Sequence, residues 1–362
     1  MSWSLSRFRK GDWVEVRSKE EILATLDSRG KTADGMPFMP EMLQFCGRRM
    51  RVGAVAHKSC DMVGKVGSAR KLQQTVHLEG ARCDGAAHGG CQAECYLYWK
   101  DQWLKPADSA EKQKTLSGKE CTEAQLMESV IKTHASEGHE LRYACQATDV
   151  YHASRLLPWW DVRQYVFDVT TGNHSVRRVA SVLFLAMIRW LQPRAPFGFK
   201  ALLAFNDWAH LRITGRPRPT LDGKVADGVS SPTGSIGLQE GEYVRVKPQR
   251  EIELTINSQG RNRGLSFDGE EMAPYCGKVL RVRRRVSRIL EETTGRMLEM
   301  KQPCIMLDGA VCQSLYASCR LNCPRAIPSY WREIWLERVP APSGAALELP
   351  QAALDGGARR SD

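Results

Sequence analysis

Gly11-Asp12-Trp13-Val14-Glu15-Val16-Arg17, running on to Glu21-Ile22, Leu26 and Gly30, returns 230 residues later. The second occurrence is Gly241-Glu242-Tyr243-Val244-Arg245-Val246-Lys247, running on to Glu251-Ile252, Ile256 and Gly260. No gap is needed over this stretch. A one-residue difference in loop length follows. Phe38…Glu41-Met42…Phe45-Cys46-Gly47 then aligns with Phe267…Glu271-Met272…Tyr275-Cys276-Gly277. Leu78-Glu79-Gly80 aligns with Leu307-Asp308-Gly309, and Trp99 and Trp103-Leu104 align with Trp331 and Trp335-Leu336. Self-similarity at a fixed offset, in order, is the mark of an internal repeat. The reading is two diverged copies, residues 11–105 and 241–337, of one module.

The module reads as β-rich. Residues 12–17 alternate apolar and charged side chains at the strand period. Cys46 to Val52 and Cys276 to Val282 read as second strands. Gln74 to Leu78 and Cys304 to Leu307 read as third strands, each ending at an acidic-Gly turn. Between the first two, Ile22, Leu23 and Leu26 have helical spacing, and Gly30 is an end signal. A Gly-acidic opening followed by such a strand suggests an SH3-like barrel carrying a cysteine-bearing insertion. The region between the copies is different. Thr122-x-x-Gln125 has the form of a capping box. Ser175 to Leu191 and Leu202 to Leu211 read as helices.

The expected fold class is therefore α+β, with two β-rich, SH3-like cysteine-bearing repeats flanking a mainly helical middle. The expected boundaries are 1–106 for the first module, 107–214 for the helical middle and 215–240 for a Pro/Gly/Ser-rich linker. The second module takes 241–339, and 340–362 is a Pro/Ala/Gly-rich tail expected to be disordered.

Each copy keeps four cysteines at equivalent positions: Cys46, Cys83, Cys91 and Cys95, and Cys276, Cys312, Cys319 and Cys323. The local patterns are Cys-x7-Cys-x3-Cys and Cys-x6-Cys-x3-Cys. A single buried cysteine is unremarkable. Four held in place while the surrounding residues changed point to ligation. Four thiolates suit a tetrahedral zinc or an iron–sulfur cluster. The shortage of short Cys-x2–4-Cys knuckles favours a [4Fe–4S] cluster, with zinc close behind. Cys60, His57 and His88, private to copy one, and Cys304, private to copy two, are additional ligand candidates. Copy two has no histidine, so copy one is the better place for chemistry.

A second candidate site is a pocket lined by Trp159, Trp160, Asp161, Arg163 and Asp168, with Cys145 nearby. No phosphate-binding glycine loop, serine elbow or His-Glu-x-x-His helix is present.

The motif Arg82-Cys83-Asp84-Gly85-x-x-His88-Gly89-Gly90-Cys91-Gln92-Ala93-Glu94-Cys95, followed by Trp99-Lys100-x-x-Trp103-Leu104, resembles one in an uncharacterised family of bacterial cysteine-rich proteins. The resemblance spans copy one and implies no known activity.

The 362 residues carry 52 Lys and Arg against 41 Asp and Glu, a formal net charge of +11. That excess permits an acidic partner, nucleic acid or an anionic membrane surface. The longest uncharged apolar run, Val179 to Ile188, is too short to span a bilayer, so no transmembrane segment is expected. No secretory leader is apparent, and 12 cysteines without one suggest a reducing, cytoplasmic setting. Two function classes follow. The first is a redox or catalytic iron–sulfur protein with one centre per repeat. The second is a zinc-stabilised binding or scaffold protein whose basic surface makes contacts.

Overall fold

A computed structural model describes residues 3–64, 68–108, 121–133, 140–191, 194, 199–215, 218, 220–226, 228–315 and 321–342. The chain is α+β and divides into two compact units. Unit 1 comprises Met1–His174, Arg288–Glu299 and Cys323–Arg325; unit 2 comprises Ser175–Ser287, Met300–Asn322 and Ala326–Asp362. The middle region is thus shared between them at residue 174.

In chain order, the first module forms β1 (Trp13–Val16), α1 (Lys19–Leu23), β2 (Arg49–Val55), β3 (Lys58–Cys60), β4 (Ala69–Lys71), β5 (Thr75–Leu78), β6 (Trp99–Lys100) and β7 (Leu104–Pro106). The middle forms α2 (Glu123–Ser129), β8 (Ile131–Thr133), β9 (Arg142–Tyr143), α3 (Gln146–Asp149), β10 (Arg155–Leu157), α4 (Arg163–Thr170), α5 (Val176–Leu191) and α6 (Phe199–Thr214). The second module forms β11 (Tyr243–Val246), α7 (Gln249–Glu253), β12 (Arg261–Asn262), β13 (Leu265–Ser266), α8 (Gly269–Met272), β14 (Val279–Leu290), β15 (Met297–Val311), β16 (Pro328–Trp331) and β17 (Leu336–Val339).

The two main sheets have strand orders β6-β5-β2-β1-β7 and β16-β15-β14-β11-β17. Their registers correspond: Val14 faces Met50 as Val244 faces Leu280. Val14 and Val16 in one, and Val244 and Val246 in the other, are wholly buried, as strand alternation requires. Short 3-10 turns, Asp101–Trp103 and Glu333–Trp335, join the last two strands of each sheet. Neither sheet closes. Each has its final two strands as opposite edges, so the expected barrel is corrected to an open five-stranded sheet. The edge strands β6 and β7 have two and three residues, too few to ladder across the gap.

The core of each sheet is an aromatic clasp. Phe38 meets Trp99 edge-on at 6.2 Å and Trp103 at 5.1 Å; Phe45 meets Trp99 at 5.8 Å. In the second sheet Phe267 meets Trp331 at 6.1 Å and Trp335 at 5.5 Å, and Tyr275 meets Trp331 at 6.1 Å. Tilted pairs of this kind add attraction beyond area burial. The indole N–H of Trp103 donates to Thr25 Oγ1, and that of Trp335 to Thr255 Oγ1.

Local signals place the helices. Ser18 and Glu21 form a reciprocal capping box at α1, and Thr122 and Gln125 form another at α2. Ile131 opens β8 directly after α2. Val179, Val182, Leu185 and Ile188 form the buried stripe of α5, and Leu185 and Ile188 pack with Ala209 of α6. The run Val179–Ile188 is therefore a packed helix. Among the described residues no helix is long and apolar enough to cross a membrane. The expected linker packs too: Leu238 is fully buried in the second core. Of the expected tail, residues 343–362 lie outside the described residues.

Replacing Phe38 with Ala removes the ring that both tryptophans face. The expected cost is about 3–5 kcal/mol, read by urea unfolding. A loss under about 1 kcal/mol would show that the clasp does not hold this core.

Candidate metal centre

The loop between β5 and β6 carries Cys83, His88, Cys91 and Cys95. Its ends are tied together: Cys83 N donates to the Cys95 carbonyl at 2.9 Å, and Arg82 bridges to Tyr96. Inside, the His88 and Gly90 amides donate to the Gly85 carbonyl at 3.2 and 3.0 Å. Gly85 has φ +73°, and a Cβ there would lie 2.0 Å from the Cys91 carbonyl oxygen. Only glycine lets the two ends of this turn approach so closely.

The turn aims His88 inward. Its Nδ1 lies 2.7 Å from Glu41 Oε1 and its Nε2 3.9 Å from Cys83 Sγ, and Cys91 lines the same cavity. Glu41 sits in a buried 3-10 helix, Pro40–Phe45, fixed by the clasp residues Phe38 and Phe45. The Ala87 amide donates to the same Glu41 oxygen at 3.0 Å. Glu41, Cys83 and His88 present ligand atoms within 4.8 Å of one another. Cys91 is 6 % exposed, and its sulfur accepts the Leu290 amide at 3.3 Å. Leu290 comes from the Arg288–Glu299 segment that belongs to unit 1.

Charge follows geometry. Burial opposes an imidazolium at His88, yet Cys83, Cys91 and Glu41 raise its pKa well above the ordinary value. Burial likewise opposes a thiolate at Cys91, but His88 and the Ala93 and Leu290 amides bring its pKa below the usual value. At Cys83 burial prevails and the pKa rises. An anionic pocket that retains a proton on histidine is one that favours a cation in its place.

A cavity of about 40 Å3 adjoins these groups, and Cys83, His88, Cys91, Cys95 and Cys145 all line it. Half-buried Cys95 and buried Cys145 both have thiol pKa values raised by desolvation, that of Cys145 reaching about 12. Arg325 also lines the cavity, paired with Glu292 Oε1 at 2.6 Å and with Nη1 3.6 Å from Cys60 Sγ.

Three of the four cysteines expected in copy one thus share a cavity. Cys46 does not line it. It caps the 3-10 helix, its thiol pushed up to about 11 by burial and the nearby Glu20. Cys276 takes the same cap position in copy two. Cys312 neighbours Glu271, whose Oε2 accepts the Gln313 amide at 2.5 Å, and lies 3.4 Å from Ser314 Oγ. Cys323 is buried and falls in unit 1, Cys304 accepts from Arg332 at 3.6 Å, and Cys319 lies outside the described residues.

His57 is buried against Asp168 at 3.3 Å, and Lys58 donates to the same carboxylate at 2.7 Å. The second expected pocket is not assembled: Trp159 and Trp160 are exposed, Asp161 pairs with Arg163, and Asp168 is wholly buried with Lys58. Cys145 belongs to the cavity beside His88.

Glu41 was missed by the cysteine count. Its signal was present as the Glu-Met pair that both copies keep. No protein-family model matches the chain, and no curated protein matches it by sequence.

Beside the cavity, His77 is buried between Tyr96 and Tyr98, with Nδ1 2.9 Å from the Leu97 carbonyl. Burial lowers its pKa from 6.5 to about 4. A folded-state pKa below the unfolded value contributes stability that is present above pH 6.5 and lost as pH falls toward 4. Copy two has Met306 at this position. His77→Met is expected to flatten that acid limb by roughly 2–3 kcal/mol, read by urea unfolding at neutral and acid pH. An unaltered pH dependence would show that His77 does not titrate in this window.

Proposed function

We propose that this chain is a metal-stabilised binding protein built from two diverged copies of one module centred on an open five-stranded sheet. Its first unit holds a single ion of the zinc class, with Cys83, His88 and Cys91 as ligands and Glu41 orienting the histidine. The observation that carries this is the 2.7 Å contact of His88 Nδ1 with Glu41, which leaves Nε2 facing the Cys83 thiol, with Cys91 lining the same cavity. A carboxylate on the far nitrogen is the usual support of a metal-ligating histidine. Thiolate and imidazole together suit zinc. Buried Cys145 and half-buried Cys95, which line the same cavity, are the candidates for the fourth position. A closed set of four protein ligands stabilises structure; an open position would be needed for catalysis. Matching strand orders, registers and aromatic clasps support the duplication.

The second reading is a [4Fe–4S] centre, favoured by the four thiols Cys83, Cys91, Cys95 and Cys145 around one cavity. Against it stands the space: about 40 Å3 accommodates only a few water-sized bodies. A third arrangement, a Cys–His–Glu nucleophilic triad, requires an accessible sulfur. Cys91 is buried with an amide donating to it.

Protein purified without oxygen is expected to be colourless and to hold about one zinc per chain. Cys83→Ser and His88→Ala should each lose the metal and lower the unfolding midpoint, whereas Cys46→Ser should keep it. Iron with sulfide would establish the cluster. Metal-free protein, or full occupancy in Cys83→Ser/His88→Ala, would overturn a metal centre here.

A further inference from the structure

Unit 2 contains a cavity of about 350 Å3, walled by Arg285, Lys301, Arg332 and Glu333 and by the Thr233–Ser235 loop. This volume lies at the lower end of the range for small-molecule sites. Its charge is unbalanced. Glu333 is already committed: Oε2 accepts Ser235 Oγ at 2.9 Å and the Ile236 and Gly237 amides at 2.6 and 2.9 Å, and Oε1 accepts from Arg285. Arg332 is only 9 % exposed. Its Nη1 donates to the Gln302 carbonyl at 2.7 Å and its Nη2 to the Arg263 carbonyl at 3.0 Å. Its Nε is buried with no hydrogen-bond partner. Among the described residues no carboxylate pairs with Arg332 or with exposed Lys301. A buried cation without a counter-charge is costly.

The equivalent place in unit 1 shows what is missing. Lys100, which follows Trp99 as Arg332 follows Trp331, donates to the Gln73 carbonyl, to Thr75 Oγ1 and to Asp34 Oδ2. Arg332 keeps the first two contacts in altered form, with the Gln302 carbonyl and Cys304 Sγ. Asp101 accepts Ser6 Oγ and the Arg7 amide, as Glu333 accepts Ser235 Oγ and Ile236. The carboxylate is the difference. The turn that bears Asp34 is one residue shorter in the second unit and bears Arg263, at φ +44°. One internal anion is gone and another cation has been added.

We propose that this cavity binds a small molecule through a phosphate or carboxylate group, which supplies the counter-charge that Asp34 supplies in unit 1. The Arg332 guanidinium, Lys301 and Arg285, which wall the cavity, receive the anionic end, and the Thr233–Ser235 loop bounds the remainder. Neither the metal nor His88 takes part.

The test uses the full-length, metal-replete protein, with calorimetric titration and thermal unfolding in inorganic phosphate or succinate against sodium chloride of equal ionic strength. Saturable binding of either oxyanion, with a raised unfolding midpoint, is expected; which of the two binds tighter identifies the head group. Lys301→Glu alters an exposed side chain. Arg263→Asp restores a carboxylate to the turn, and aspartate is among the residues that tolerate a positive φ. Both are expected to weaken binding at least about tenfold while keeping wild-type metal content and cooperative unfolding. No binding beyond that of chloride, or undiminished binding in both variants, would overturn the proposal and leave the metal centre untouched.

Discussion

The edge-on packing of Phe38 and Phe45 against Trp99 and Trp103 is the contact on which the first unit depends. It joins two parts of the chain that are far apart in sequence: residues 38–45, which include the 3-10 helix before β2, and residues 99–103, which run from strand β6 through the turn leading to β7. Because Glu41 lies between the two phenylalanines, the same packing fixes its carboxylate inside the protein. A buried carboxylate is tolerable only with donors around it. The Ala87 amide and His88 provide them. The cysteine loop is thereby drawn onto the core through Glu41, and the position of the thiols follows from that of the aromatic rings.

The loop itself is governed by a steric limit. Gly85 approaches the Cys91 carbonyl too closely for any side chain, and Gly89 and Gly90 also have positive φ. Three glycines in seven residues are entropically unfavourable in an unfolded chain that must be ordered. Ligation of a metal by side chains from both ends of such a turn offsets that loss, because binding and ordering then share one free energy. This links the composition of the loop to the centre proposed for it.

Much of the architecture was legible because it rests on periodicity. Val14 and Val16, and Val244 and Val246, announce strands whose alternate residues are buried. The capping box at Thr122 is local and appears where its spacing puts it. Closure of the sheets was not legible, since it turns on the length of edge strands that have only two to four residues. The candidate site was half legible. Cys83, Cys91 and Cys95 were visible from spacing and His88 from its neighbours. Retention in both copies also marked Cys46, yet Cys46 and Cys276 occupy one backbone feature, the end of a 3-10 turn before a glycine with φ +74° or +79°. Equivalent positions can be kept for backbone geometry as readily as for ligation. Glu41 shared the same signal and was passed over because a carboxylate beside a methionine does not look like a ligand until the fold brings it to a histidine.

On the duplication proposed above, the two units have kept the clasp and changed the polar contacts that hang from it. The first satisfies its buried cation internally through Asp34 and gathers histidine, glutamate and thiols in one cavity. The second repeat, residues 241–337, has no histidine; its unit retains the Glu271–Cys312 neighbourhood and leaves Arg332 without a carboxylate beside a much larger cavity. A scaffold stabilised mainly by aromatic packing can accept either change, because neither polar set contributes to the clasp. The consequence is a division of labour within one chain: an internal charge pair and a ligand cluster in the first unit, an open cationic cavity in the second. The exchange turns on one position of a turn outside the clasp, where the first unit has Asp34 and the second Arg263.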